Sequence, residues 1–184
     1  MSTVLLLDPA FRNFGWAVMT LGPVEDFICD VGVITTKKAD KKQRLYVSDD
    51  NHTCSTHIAQ QLQSIVATYC PIFICAEAQQ GSKSSKAIQM QGMAWGILSA
   101  VAAVNRVPVL QAQPQQVKKA LTQRNDASKE EIEAVVCKHY TDLAERVKII
   151  KPKSLHEHIY DACAVGIACL NSTEIQTARR MMGR

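Results

Sequence analysis

Two carboxylates in this 184-residue chain stand where a carboxylate is costly. Asp8 ends an apolar run at residues 3–7, and Glu77 ends a second one at residues 72–76. A charge at the rim of a core loses hydration unless it is paired or binds a cation. A third acid, Asp161, lies in LHEHIYDACAVGIACL three residues after His158, a spacing that sets both on one face of a helix otherwise apolar and small. Oxygen donors from separate elements, with room left for water and a phosphate, suit Mg²⁺, which keeps near-octahedral geometry and dehydrates reluctantly. Two such ions about 4 Å apart can align a water and steady the departing oxygen in phosphodiester hydrolysis. Taken singly, each residue has a plainer explanation. An Asp-Pro pair commonly shapes a turn, Glu77 could pair with a lysine, and a lone His is ordinarily a surface or core residue. Only the joint arrangement points to a site. Glu157 shares the helix face of Asp161, but it belongs to Ser154-x-x-Glu157, a capping-box pattern that gives it a local role.

Strands and helices must bring these groups together. Pro9 disfavours helix at Asp8, so residues 3–7 read as a buried strand ending there. Residues 15–20 and 27–35, rich in β-branched and aromatic side chains and separated by Leu21-Gly22-Pro23, read as two antiparallel strands. Residues 37–52 are polar and charged and read as an exposed, mobile insertion. From Thr53 the apolar spacing predicts a helix closed by Pro71, followed by the buried strand that ends at Glu77. A polar loop then leads to a long helix with Ile88, Met93, Ile97, Leu98, Val101 and Val104 at helical spacing, and a short strand at 107–110. Gly92 and Gly96 on that helix predict close packing against the sheet or another helix. Pro114 opens a further helix, and Ser128-x-x-Glu131 and Ser154-x-x-Glu157 open the last two. Residues 1–184 read as one domain, with 172–184, which include Arg179, Arg180 and Arg184, as a basic tail.

Composition narrows the class. A 47% hydrophobic content supports a packed core and excludes disorder, while a formal +4 permits a polyanionic partner without requiring one. Seven cysteines, odd in number and without a CxxC pair, argue against a disulfide framework and a zinc knuckle and suit a reducing interior. The first residues carry no basic segment and meet an acid at position 8, which excludes a secretory signal or membrane span there. The expectation is a soluble, cytoplasmic protein with no membrane partner.

The segment VLLLDPAFRNFGWAVM at residues 4–19 resembles the opening strand and hairpin of the RuvC Holliday junction resolvases. FICAEAQQGSKSSKAIQMQGMAWG at 73–96, VAAVNRVPVLQAQPQQVKKAL at 101–121 and YDACAVGIA at 160–168 resemble later blocks of that family, in order and at similar spacing. The resemblance covers nearly the whole chain. It implies an RNase H-like α/β fold with a mixed five-stranded sheet flanked by helices. It implies a homodimer acting on branched DNA, above all four-way junctions, in a bacterial or phage-infected cell. Carried over by motif, Asp8, Glu77, His158 and Asp161 would be catalytic and metal-ligating, with Mg²⁺ as cofactor and Mn²⁺ as an acceptable substitute. Lys118 and Lys129 match lysines of the family, and Arg12, Lys83, Lys86 and Lys119 complete the expected DNA contacts. Lys129 falls in the first turn of a capped helix, a terminus that favours phosphate. The chain departs from the pattern at Ala10, where the family has Gly, at Gln79 and Gln80, where it often presents an aromatic wedge, and in the length of 37–52. Such divergence fits a phage-encoded member. Two other readings stand beside a resolvase: a broader nuclease for flaps or forks, and a catalytically silent DNA-binding module. The actin-like ATPases of related fold need a second domain that this length cannot house.

Overall fold

The computed structural model describes residues 2–22, 25–37, 46–79, 81 and 84–182. Its frame is a five-stranded sheet in the order β3-β2-β1-β4-β5. β1 (Ser2–Asp8), β2 (Asn13–Leu21) and β3 (Phe27–Thr35) form an antiparallel meander. β4 (Phe73–Glu77) and β5 (Val109–Ala112) join β1 in parallel, through the crossover helices α1 (Val47–Tyr69) and α2 (Ser85–Asn105). The mixed sheet expected from the sequence is therefore present. Because β1 is covered on both faces, Val4 to Leu7 are an unbroken fully buried run, as a central strand requires.

Each face has its own core. Leu5, Leu7, Phe14, Val18 and Ile74 pack with Ile58 and Leu62 of α1 and Ala94 and Leu98 of α2. Val4, Leu6, Ala17, Met19 and Cys75 face the other way. There they meet α3 (Pro114–Thr122), α4 (Lys129–His139), α5 (Leu143–Lys148), α6 (His156–Cys169) and the final helix α7 (Thr173–Met182). All seven cysteines are free thiols.

Several expectations are corrected. The first helix begins at Val47, not Thr53, so part of the supposed insertion is helix; residues 38–45 lie outside the described residues. Asp49 and Asp50 in the first turn suit the helix N-terminus, and Asp50 is buried against Arg12. Residues 173–182 are a packed helix rather than a tail: Ile175 is fully buried, and Arg179 pairs with Asp26 of the β2–β3 hairpin. Arg184 lies outside the described residues. Ser128 and Glu131 form their capping box, but Ser154 does not cap α6; a short 3₁₀ turn, Lys153–Leu155, feeds that helix instead. Finally, Gly92 and Gly96 face open space rather than a close neighbour.

Candidate active site

The sheet puts the first two acids side by side. Leu7 of β1 is in register with Ala76 of the parallel β4, so the next residues, Asp8 and Glu77, leave the sheet at the same edge. α6 supplies the rest by lying across β1, β2 and β4. That approach depends on a glycine. Gly15 pairs with Asp8 across β1–β2, and a Cβ there would fall 2.1 Å from the backbone oxygen of His158. Without it the first turn of α6 could not descend onto the strand end. As built, His158 Nδ1 lies 2.9 Å from Asp8 Oδ2, with both side chains less than a fifth exposed. The proton belongs on Nδ1, since an ionised carboxylate can only accept. Asp161 stands one turn further along α6.

The electrostatics record the convergence. Burial, followed by the charges of Asp8 and Asp161, pushes Glu77 up to about 7. Burial and then Asp8 push Asp161 up to about 6. His158 is raised, chiefly by its hydrogen bond to Asp8. Asp8 thus acts on both other acids. Lys129, at the first position of α4, pulls Glu77 and Asp161 back down, and it is tied to Glu157 on the first turn of α6.

The donor chemistry suits a hard divalent cation: three carboxylates and an imidazole, drawn from β1, β4 and α6. Among the described residues, no three such side chains are already gathered closely enough to hold an ion as they stand. Burial first and the neighbouring acids second raise Glu77 and Asp161, and a bound cation would favour their charged forms.

The sequence-derived DNA contacts fare differently from one another. Lys129 reaches the acidic cluster. Lys86 is exposed in the first turn of α2, Lys119 is exposed on α3 and Lys118 is half-buried beside it; none of these three forms a salt bridge with another described residue. Lys83 lies outside the described residues. Arg12 is engaged within the chain, 3.2 Å from Asp50 Oδ2 and 3.1 Å from Cys54 Sγ, over the ring of Phe11. It pins α1 to the β1–β2 turn. Sequence reasoning gave two contributors, Gly15 and Glu157, no part in the site. The first carried only an unremarkable glycine signal, and the second had been assigned to a cap that does not form.

Known structures share this frame. A Thermus thermophilus RuvC in complex with a Holliday junction substrate superposes with a TM-score of 0.74 at 20% identity, over 98% of this chain and 97% of that one. A Fowlpox virus resolvase in complex with Holliday junction DNA gives 0.54 at 11% identity, over 90% and 96%. At these identities the likeness is one of fold. The family profile described as crossover junction endodeoxyribonuclease RuvC matches residues 4–169.

The chain belongs to the RuvC family. Curated RuvC relatives include that of Caldicellulosiruptor saccharolyticus, 28% identical over 171 residues, 92% of this chain and 93% of the relative. The RuvC of Bacteroides fragilis is 25% identical over 130 residues, 70% of this chain and 64% of the relative, just under two thirds of that protein's length. RuvC proteins are nucleases that depend on a divalent metal, and all four of the acid and imidazole groups described above fall inside the matched region.

Proposed function

We propose that this RuvC-family protein resolves four-way DNA junctions, cleaving phosphodiesters at a site built from Asp8, Glu77, Asp161 and His158. The observation that carries the reading is the contact between His158 Nδ1 and Asp8 Oδ2, which joins groups 150 residues apart beside the strand-end pair Asp8 and Glu77. Asp8, Glu77 and Asp161 would hold the cation, Mg²⁺ for preference with Mn²⁺ as a substitute, and His158 would complete or orient the set. When bound, such a cation supplies positive charge to the phosphate oxygens and acidifies water. Asp8, which raises both other acids, would be a ligand of that cation together with Glu77 and Asp161. His158 keeps its proton toward Asp8 and so fixes that carboxylate's orientation. In the hydrolysis, an oxygen from water joins the phosphorus while the bond to the 3′-oxygen breaks, leaving a 5′-phosphate and a 3′-hydroxyl.

Lys129 is poised beside this centre for the phosphate backbone, at a helix N-terminus that favours anions. Lys86, Lys118 and Lys119 extend the basic surface, while Arg12, held by Asp50, is a weaker member of the expected set. Such contacts give affinity and salt dependence, leaving selectivity to branch shape.

A second copy of the chain completes the assembly. α2 is long and apolar enough by composition to cross a membrane, but its buried residues, Ala94, Leu98, Val101 and Ala102, pack on the sheet. Its other side is left open at Gly92 and Gly96, with Ile88 and Val104 exposed. Small residues on an apolar helix let two backbones approach closely, and a two-fold axis there would set two active sites against two strands of one junction. A cytoplasmic location follows from the same reading.

Labelled four-way junctions, flaps and forks, incubated with and without divalent metal, test the proposal. Paired metal-dependent nicks in the four-way junction are expected. Cleavage of flaps with the junction left intact would favour the broader nuclease, and binding without any nick would favour the silent module.

A further inference from the structure

β3 is an edge of the sheet: among the described residues it pairs with β2 alone. A cavity of about 520 Å³ runs along its free side and touches Val31 to Thr35 without a break. Strand side chains alternate between faces, so consecutive residues can all line one space only if it lies along the edge, against the unpaired backbone. The layers on the two faces of the sheet wall this slot. On one side stand His57, Gln61 and Ile65 of α1, with the Trp16 indole laid over Gly32, where an added Cβ would fall 2.6 Å from the ring. On the other stand Ile149 and Ile150, just beyond α5, and Leu155 of the 3₁₀ turn. Val33 and Ile150 belong to one core, Ile34 and Ile65 to the other, so the slot opens on the margins of both. Ile149 is 78% exposed, an aliphatic side chain held in water beside a ready-made strand site.

Charge selects the occupant. Lys151 lines the slot and Lys153 follows it; both are exposed, and neither forms a salt bridge with another described residue. His57 adds a titratable base on the opposite wall, and no acid is among the lining residues. Asp30, the acid on β3, is engaged by the Tyr69 hydroxyl, and Glu145 of α5 is paired with Lys148. A second copy joined edge to edge would bring the same positive rim to the same place. An extended segment with apolar side chains and flanking acids would satisfy the backbone, the aliphatic walls and the lysines together. We infer that the free edge of β3, between α1 and Ile149–Lys151, accepts one β-strand from a protein partner, an alternating apolar segment bounded by acidic residues. Val33 pairs with Gly15 and Gly15 with Asp8, so the added strand would run about 14 Å, three strand spacings, from the site acid. The inference does not depend on the nuclease reading; it adds a means of tethering the chain to another protein.

The test titrates the full chain into a fluorescein-labelled synthetic peptide, Asp-Asp-Val-Thr-Ile-Thr-Val-Asp-Asp, and follows anisotropy. Saturable binding is expected, and its absence would overturn the inference. Ile149→Asp, a change at an exposed position, should weaken binding about tenfold or more. Lys151→Glu should weaken it a few-fold and improve binding of the same peptide flanked by lysines. N-methylation of one alternate set of peptide amides should cost about tenfold while methylation of the other set costs little, because only one set faces β3. Equal effects of the two sets, or unchanged binding to Ile149→Asp, would overturn strand addition. Ile149→Asp should also leave cleavage of a four-way junction at the wild-type rate; slower cleavage would assign the slot to DNA instead. Sedimentation in which Ile149→Asp dissociates a dimer would assign it to a second copy, and either result would overturn the inference.

Discussion

The two longest apolar stretches outside the sheet, α6 and α2, meet it in opposite ways. α6 buries eight of its 14 residues, and it is through this burial that His158 and Asp161 arrive at Asp8. α2 is half as long again, similarly apolar, and buries only four of its 21 residues. Glycines show the same contrast. Gly15 beneath α6 has no room for a single added carbon, whereas Gly92 and Gly96 on α2 would meet nothing within 4 Å. A helix pressed into the sheet is a positioning device for chemistry; a helix left apolar on its outer side is a surface waiting to be covered.

The largest break in this comparison comes from the α6 side. Asp8→Asn removes the charge that couples both other acids and accepts from His158, and cleavage should fall on the order of 10³-fold. Junction binding in gel-shift assays should persist, because the fold does not depend on that charge. Loss of binding together with a collapsed circular-dichroism spectrum would instead make Asp8 a structural residue.

Gly15→Ala should act on the same site through sterics alone. The new methyl meets backbone rather than a flexible side chain, so α6 must lift, with a loss of about 3 kcal/mol of stability and of most activity. Urea denaturation beside a cleavage assay reads both, and a stable, active variant would show that the approach of α6 is looser than described.

Protonation gives the next effect. Glu77 and Asp161 are raised to about 7 and about 6, so the folded chain holds more protons than the unfolded one between roughly pH 4 and 7. Stability of the metal-free chain is therefore fullest below that window and declines as pH rises through it, by about 2 kcal/mol after allowance for solvent screening. Thermal melts across this range should show the decline, Glu77→Gln should flatten it, and divalent cation should offset it at neutral pH. A melting curve that rises over the same range would contradict the acidic cluster.

The smallest effect belongs to α2. Gly92→Ala fills open space and replaces a poor helix former, so the monomer should gain about 1 kcal/mol. The same methyl interrupts the proposed pairing face, so sedimentation equilibrium should show weaker self-association. Higher stability with unchanged association would move the dimer contact elsewhere.

Much of this arrangement was legible in the chain. The runs before Asp8 and Glu77 read as strands because a continuous apolar run too short for a helix must be buried on both faces, and β1 and β4 are the two central parallel neighbours. The Ser128–Glu131 box read correctly because a cap is a contact within four residues. Ser154 misled because the same local pattern competes with a tertiary partner: Glu157 goes to Lys129 across the gap between α4 and α6. The start of α1 was misjudged for a related reason. Asp50 looks like a loop residue until Arg12, 38 residues away, is placed beside it.

Periodicity, strand ends and motif resemblance are one-dimensional signals, and from them the α/β fold class and the four candidate site groups could be read. The tertiary structure alone decided which lysine stands at the acids, which glycine permits the approach of α6, and which apolar helix stays uncovered. Each of those depends on the separation of atoms far apart in the chain, and steric exclusion and charge coupling act through that separation rather than through position in sequence.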